Sequence, residues 1–286
     1  MAPNPYGDRP KVDRLGTDDY GRLADIFQSY TGIQLPPGKL TMIEGRLRKR
    51  VRVLGFDGIV EYCDYLFQHG GLDAEFDHLV DAVTTNKTDF FREPDHFRYL
   101  CDQAVPALLA DRRASDRKLK LWSAACSTGA EAYTMAMTLA DLFRRIGNRN
   151  VAILGTDICG EVLEQAVAAI YPDDMLAQIP AGMRRYVMRA RDPNRREFRV
   201  VPELRRMARF QRLNLMDRDY PVDADIDVIF CRNVLIYFDK PTQRAVVERL
   251  SRHLQPGGFL FLGHSESTVG LGLDLVQIAP TIFRRR

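Results

Sequence analysis

The sequence predicts an α/β protein in two parts: a small N-terminal helical domain, then a larger domain on a mostly parallel sheet with helices on both faces. Three observations predict it. No strand-like stretch precedes Lys118, whereas apolar residues recur there at helical spacing. From Leu119 onward, short apolar runs alternate with longer helical patterns, as expected for a layered α/β sheet. Within that region, Leu119–Asp141 reads as a strand, a turn of small residues from Ser123 to Gly129, and an Ala- and Met-rich helix; such a turn lets a ligand approach the backbone. The expected boundaries are 14–83 for the helical domain, 84–118 for a linker, and 119–286 for the sheet domain, with an insertion at about 172–208.

Taken in order, Tyr20, Leu23, Ile26, Phe27 and Tyr30 mark a first helix with Thr17 as its N-cap. Pro36-Pro37 separates it from a second, in which Leu40, Ile43, Leu47, Val51 and Leu54 form an apolar stripe and Gly55 is the stop. Amphipathic segments follow at Ile59–Gln68 and Asp73–Val83. After a helix through Phe97, Leu100, Ala104, Leu108 and Leu109 comes a charged loop at 111–117. The expected strands are Leu119–Ala125, Val151–Asp157, Phe210–Leu215, Ile226–Cys231 and Phe259–Gly263, with Leu275–Phe283 as a final edge. A helix from about Pro241 to Leu254 has proline near its first turn and Pro256-Gly257-Gly258 after its last. The interval from Tyr171 to Ala208 is too long for a simple connection, and Phe198–Pro202 alternates like a strand that Arg184–Met188 could pair with.

Composition excludes several function classes. The net charge of +3 defines no partner, although 184–212 holds eleven arginines against Asp192, Glu197 and Glu203, and 46–52 holds five basic residues and no acid. Five scattered cysteines without a Cys-x-x-Cys pair argue for a reducing compartment. The five histidines show no metal-ligand spacing, so no metal is expected. No apolar run of ~18 residues is present, and the Pro-rich start lacks the core of a signal peptide. A cytoplasmic protein without membrane insertion is expected.

Four stretches carry chemistry: Thr84–Glu93 (Thr-Thr-Asn-Lys-Thr-Asp-Phe-Phe-Arg-Glu), Trp122–Gly129 (Trp-Ser-Ala-Ala-Cys-Ser-Thr-Gly), Phe230–Asp239 (Phe-Cys-Arg-Asn-Val-Leu-Ile-Tyr-Phe-Asp) and Gly263–Glu266 (Gly-His-Ser-Glu). Read singly, each has a plain alternative. Glu131 opens a helix, where a carboxylate also favours the helix dipole by ~0.3–1 kcal/mol. Asp157 ends the second strand, where an acid can hold ribose hydroxyls or cap the next helix. Asn214 can form a turn, and Tyr237 can be core. Together and in this order, the four stretches resemble the chemotaxis receptor glutamate methyltransferases, from about Tyr20 to about Phe283.

The resemblance implies a Rossmann-like class I methyltransferase domain with an inserted antiparallel β-subdomain. It also implies S-adenosylmethionine as cofactor, S-adenosylhomocysteine as product, and the cytoplasmic domains of methyl-accepting chemoreceptors as substrate, met by a monomer recruited to receptor arrays. It assigns Glu131 to the cofactor's ammonium, Asp157 to its ribose, and Asn214 with Leu215 to its adenine. Asn86, Thr88, Arg92, Arg232 and Asn233 complete the implied cofactor set, with Thr85 nearby. Arg92 and Tyr237 are the implied catalytic residues, one orienting the receptor carboxylate and the other beside the transferable methyl. Arg46 and Arg50, on a basic helix face, are expected to dock acidic receptor helices.

Two departures matter. The run Gly129-Ala-Glu-Ala-Tyr stands where relatives commonly have Gly-Glu-Glu-Pro-Tyr, losing one acid and a helix-starting proline. The loop Arg189–Phe198 has no glycine and contains Pro193, whereas relatives that hold a C-terminal receptor pentapeptide carry glycines there, so such a tether is doubtful. The rival readings are a nucleic-acid methyltransferase on the same fold, favoured by the arginines, and a cofactor-binding regulator without catalysis. Against the first, Arg232-Asn-Val-Leu is not the Asn/Asp-Pro-Pro-aromatic run of amino methylases, so no nucleic acid is expected.

Overall fold

A computed structural model describes residues 13–110, 118–147, 150–192, 194–266 and 274–286. The chain divides into two compact units, one ending at Thr84 and the other beginning at Thr85.

The first unit contains α1 (Thr17–Thr31), α2 (Leu40–Leu54), α3 (Ile59–Gln68) and α4 (Leu72–Val83). Tyr20, Leu23 and Phe27 of α1 and Ile43, Leu47 and Val51 of α2 are buried, as their spacing predicts. Leu54 is 39% exposed, so the α2 stripe is shorter than its sequence pattern. The N-cap of α1 is Gly16 rather than Thr17, which is already helical. Gly55 takes φ 78° and closes α2, where a left-handed residue suits glycine.

The second unit opens with α5 (Pro94–Tyr99), a π-helical stretch Leu100–Ala104, and α6 (Val105–Ala110). It continues through β1 (Leu119–Ala124), α7 (Ala130–Ile146), β2 (Val151–Asp157), α8 (Gly160–Ala168), β3 (Ile170–Pro172), β4 (Val187–Arg189), β5 (Glu197–Val200), α9 (Pro202–Arg205), β6 (Ala208–Arg212), β7 (Ile226–Cys231), α10 (Lys240–His253), β8 (Leu254–Leu262), β9 (Leu275–Ala279) and β10 (Ile282–Arg285). The main sheet runs β6-β2-β1-β7-β8-β10-β9. Its first five strands are parallel, and β10 is antiparallel to both neighbours. The predicted α/β class, with its mostly parallel sheet, is therefore present.

The insertion forms a separate antiparallel sheet, β3-β5-β4, in which Met188 faces Arg199. Several strand bounds differ from expectation. The β6 strand stops at Arg212, paired with Asp157, because its partner β2 ends there; Asn214 and Leu215 therefore lie beyond the strand. The C-terminal edge is a hairpin rather than one strand, and β10 is the inner member because Ile282 and Phe283 are buried while β9 is mostly exposed. The β8 strand starts at Leu254, with a register irregularity opposite Ile226–Val228. The loop at 111–117 and Pro193 lie outside the described residues.

Neighbouring strands of the main sheet pack closely. Gly155 of β2 has no room for a side chain: a Cβ there would lie 2.5 Å from the Phe210 ring and 3.0 Å from Cys126 Sγ. The sole tryptophan, Trp122 of β1, is fully buried, and its Nε1 donates to Thr156 Oγ1 at 2.9 Å. No helix among the described residues is long and apolar enough to cross a membrane.

Candidate active site

Open parallel sheets bind ligands beyond the carboxyl ends of their strands. In the second unit the quoted motifs meet at that edge. Backbone strain gathers there too. Of seven non-glycine residues with positive φ among the described residues, five lie in its loops: Phe91, Glu93, Ala125, Ser127 and Asn233. Left-handed backbone at such residues costs about 1–3 kcal/mol each and persists where the surroundings fix it.

The turn after β1 is set by Gly129, whose φ is 82° and whose Cβ would meet Ala166 at 2.8 Å. Asp157, only 7% exposed, ties this turn to the end of β2 by accepting from Ser127 N at 2.8 Å and Cys159 N at 3.0 Å. Ser127 Oγ donates to the Asn86 carbonyl at 2.7 Å, joining the 84–93 run to the same edge.

Glu131 sits in the first turn of α7. It accepts from Ser123 Oγ at 2.7 Å and lies 3.3 Å from Arg232 Nε. Burial pushes its carboxyl above the usual range, against the opposing pull of Arg232 and the Ser123 hydrogen bond. Arg232 is itself buried. Its Nη2 donates to the Arg92 carbonyl at 2.6 Å and lies 3.5 Å from Glu93 Oε2, while the guanidinium sits 5.4 Å from the Phe97 ring centre. Glu93 Oε1 accepts from Asn233 Nδ2 at 3.1 Å and His264 N at 3.3 Å. Burial works against the Glu93 charge, but the Asn233 hydrogen bond and Arg232 outweigh it and hold the carboxyl below its ordinary value.

The loop after β7 is locked by Glu266, which accepts from Asn233 N, Leu235 N and Gly263 N at 2.9, 2.7 and 2.6 Å. A side chain at Gly263 would clash with Asn233 and Glu266, which explains the glycine. The linker run is equally fixed. Phe90 N donates to Gln178 Oε1 at 2.8 Å, Phe91 N donates to Thr134 Oγ1 at 3.2 Å, and the Phe90 ring meets Tyr171 edge-on at 4.9 Å.

The structure thus brings Glu131, Arg232, Asn233 and the Arg92 backbone into one network, and Asp157 and Asn86 into a second. The Arg92 side chain is exposed, with a single long bond among the described residues, 3.4 Å to the Lys87 carbonyl. Tyr237 is half-buried in the 3-10 turn Leu235–Tyr237, and its hydroxyl has no partner among the described residues. Thr88 is half-buried and Thr85 exposed. Asn214 forms a turn, accepting from Met216 N at 3.0 Å, and the Leu215 carbonyl holds Tyr220 Oη and Arg249 Nη2.

Arg46 and Arg50 belong to the helical unit and are not the free cations expected of a docking face. Arg46 Nη1 donates to the Ala82, Val83 and Thr84 carbonyls at 3.1, 3.1 and 2.8 Å, closing the end of α4. Arg50 grips the buried Glu75 at 2.6 and 2.7 Å. A run of five basic residues reads as surface because sequence does not show these partners.

Glu93 and Glu266 each end a quoted motif, yet reading the motifs assigned them no role. Glu93, His96 and His264 are also the one trio among the described residues close enough to share a metal ion. Arg232 already places a cation against Glu93 Oε2, and His96 Nε2 is held by Thr281 Oγ1 at 3.0 Å, so the trio reads as part of an ion-pair network.

Residues 86–279 match the family described as "CheR methyltransferase, SAM binding domain", and residues 18–84 match "CheR methyltransferase, all-alpha domain". A "Chemotaxis protein methyltransferase" of Escherichia coli is 39% identical, over 95% of this chain and 93% of that protein. "Chemotaxis protein methyltransferase 2" of Pseudomonas aeruginosa is 38% identical over 93% and 92%, and the Borreliella burgdorferi "Chemotaxis protein methyltransferase" is 36% identical over 94% of each. Two matched domains in the order the fold displays, and relatives aligned nearly end to end, mean that this chain belongs to the CheR methyltransferase family.

Proposed function

We propose that this protein transfers the methyl group of S-adenosylmethionine to glutamate side chains of bacterial chemoreceptors, forming methyl esters and S-adenosylhomocysteine. The observation that carries the reading is the part-buried, arginine-backed Glu131 beside the Asp157 turn, in a domain matched as S-adenosylmethionine-binding. When bound, S-adenosylmethionine supplies a methyl group already activated by its sulfonium. Glu131 would hold the ammonium, Asp157 the ribose, and the Asn214–Leu215 turn the adenine, with Asn86, Thr88, Arg232 and Asn233 around them. The buried Arg232 Nε and Nη1 have no hydrogen-bond partner among the described residues, as expected of a site completed by a ligand.

A glutamate with an ordinary pKa of ~4.3 is ionised at neutral pH, so no general base is required. What remains is alignment, worth up to ~7–11 kcal/mol in favourable cases. Arg92, anchored by its carbonyl and exposed at its guanidinium, suits an orienting role toward the receptor carboxylate. Tyr237, with an unpaired hydroxyl, suits the wall beside the methyl. For docking we propose the basic face of α2, with exposed Lys49 and Arg52 as its cations and Arg46 and Arg50 fixing its shape. Work as a cytoplasmic monomer at receptor arrays belongs to the same reading.

The test incubates the protein with labelled S-adenosylmethionine and either receptor fragments or RNA, then applies mild alkali. Volatile methanol from receptor alone is expected. Stable label on RNA would favour the nucleic-acid reading, and no transfer would favour a regulator. The arginines of the 184–212 interval lend the RNA reading little, since Arg184, Arg199 and Arg212 donate to the Ile179, Ala168 and Ile158 carbonyls.

A further inference from the structure

We propose that Glu93 is a positioning residue for the cofactor's ammonium group: by sharing Arg232 with Glu131, it leaves Glu131 with charge to offer a cation. The inference rests on the assignment of Glu131 just made and adds a residue to it.

The geometry is a bridge. One buried guanidinium lies between two carboxylates, with Nε 3.3 Å from Glu131 Oε2 and Nη2 3.5 Å from Glu93 Oε2. With both acids ionised, the three groups sum to one negative charge, whereas without Glu93 they sum to zero. No other acid in the network takes up that role. Glu266 is committed to the backbone N–H groups of Asn233, Leu235 and Gly263. In a poorly solvated site, a charge a few ångströms away acts far more strongly than in water.

Glu93 is also held for this purpose at the expense of a commoner one. It is the N-cap residue of α5, yet its side chain makes no capping bond. Its backbone takes φ 55°, and the carboxylate instead meets Asn233 and the His264 N–H. Among the described residues, Glu93 Oε2 and Arg232 Nε and Nη1 are all buried without a hydrogen-bond partner, although His96 Nδ1 lies 3.4 Å from Glu93 Oε2. A network built only for stability would satisfy these atoms. One that must yield part of its charge to an incoming ligand need not.

Glu93→Gln keeps the shape and removes the charge. The bridge then collapses into a simple Arg232–Glu131 pair. Binding is measured by calorimetry with two probes: S-adenosylhomocysteine, which carries the ammonium, and 5′-methylthioadenosine, which shares the nucleoside and thioether but lacks the amino-acid end. The variant should bind S-adenosylhomocysteine about tenfold more weakly, equivalent to ~1.4 kcal/mol, and methylthioadenosine within about twofold of the parent. In a Glu131→Gln background, adding Glu93→Gln should change neither value by more than about twofold, because Glu93 acts through Glu131. Equal weakening of both probes would show a merely structural role and overturn the proposal. Unchanged binding of both probes would overturn it too. Failure of the Glu131 reading has its own signature, visible before any variant is made: the parent protein would bind the two probes equally well, and this inference would fall with it.

Discussion

Asp157 accepts from Ser127 N and Cys159 N, so its removal should register twice. Asp157→Ala is expected to weaken S-adenosylmethionine binding by about 1.5–3 kcal/mol, roughly 10- to 100-fold, and also to lower the unfolding temperature. Calorimetry and thermal unfolding on one sample separate the two effects. Unchanged affinity in the folded variant would remove Asp157 from the site. Arg92→Ala and Tyr237→Phe should behave in the opposite way. Neither side chain holds the fold, so unfolding should be unchanged, while kcat falls about tenfold or more at constant cofactor affinity. Full turnover at saturating receptor would refute the alignment role. His96 gives a pH test. It is 2% exposed, and burial, aided by Arg232, pushes its imidazole down to about 4 from an unfolded value of 6.5. A base depressed in the fold favours the neutral ring, so the stability it contributes is present above pH 6.5 and lost as pH falls toward about 4. The full loss is on the order of 3 kcal/mol. Urea unfolding at pH 7 and pH 5 should differ markedly in the parent protein and much less in His96→Gln.

At the scale of elements, α2 separates structure from docking. Arg50 holds Glu75, which is 3% exposed, so Arg50→Glu strands a buried carboxylate and should cost about 3–5 kcal/mol in urea unfolding. Lys49, one position earlier, is exposed and has no partner among the described residues. Lys49→Glu should leave stability within about 0.5 kcal/mol of the parent and raise the receptor KM at low salt. An unchanged KM would sink the docking proposal. The same elements show what sequence can carry. The bounds of α3, β2 and β7 were legible because local apolar spacing fixes them. The end of β6 was not, because it is set by where β2 stops, and the inner place of β10 depends on its pairing with β8. At the site, Glu131 and Asp157 stood out in the sequence through their place at a helix start and a strand end. The bridge from Glu93 to Arg232 spans about 140 residues of chain and leaves no periodic trace. The same holds for the guanidinium of Arg46 on the last carbonyls of α4.

On the scale of the whole molecule, every candidate cofactor residue lies beyond Thr85 and every candidate docking residue before it. The inserted sheet adds a third surface, with β4 as a short edge of three residues. Edges of this kind can accept an added strand, but the glycine-free loop from Arg189 to Phe198 argues against close backbone approach here. We expect methylation of receptors with and without the C-terminal pentapeptide to proceed at nearly the same rate. Micromolar binding of that peptide to the protein would contradict this. The two units can also be followed separately by optical means. Trp122 is the only indole in the chain, and it lies at the centre of the sheet with its N–H on Thr156 and its ring edge-on to Tyr220 and His253. Its fluorescence therefore reports on the sheet domain alone, and quenching by acrylamide should be weak until that domain opens. The helical unit contributes ellipticity but no tryptophan emission. A denaturation in which emission and ellipticity fail to coincide would show the halves melting in separate steps, without any label being introduced.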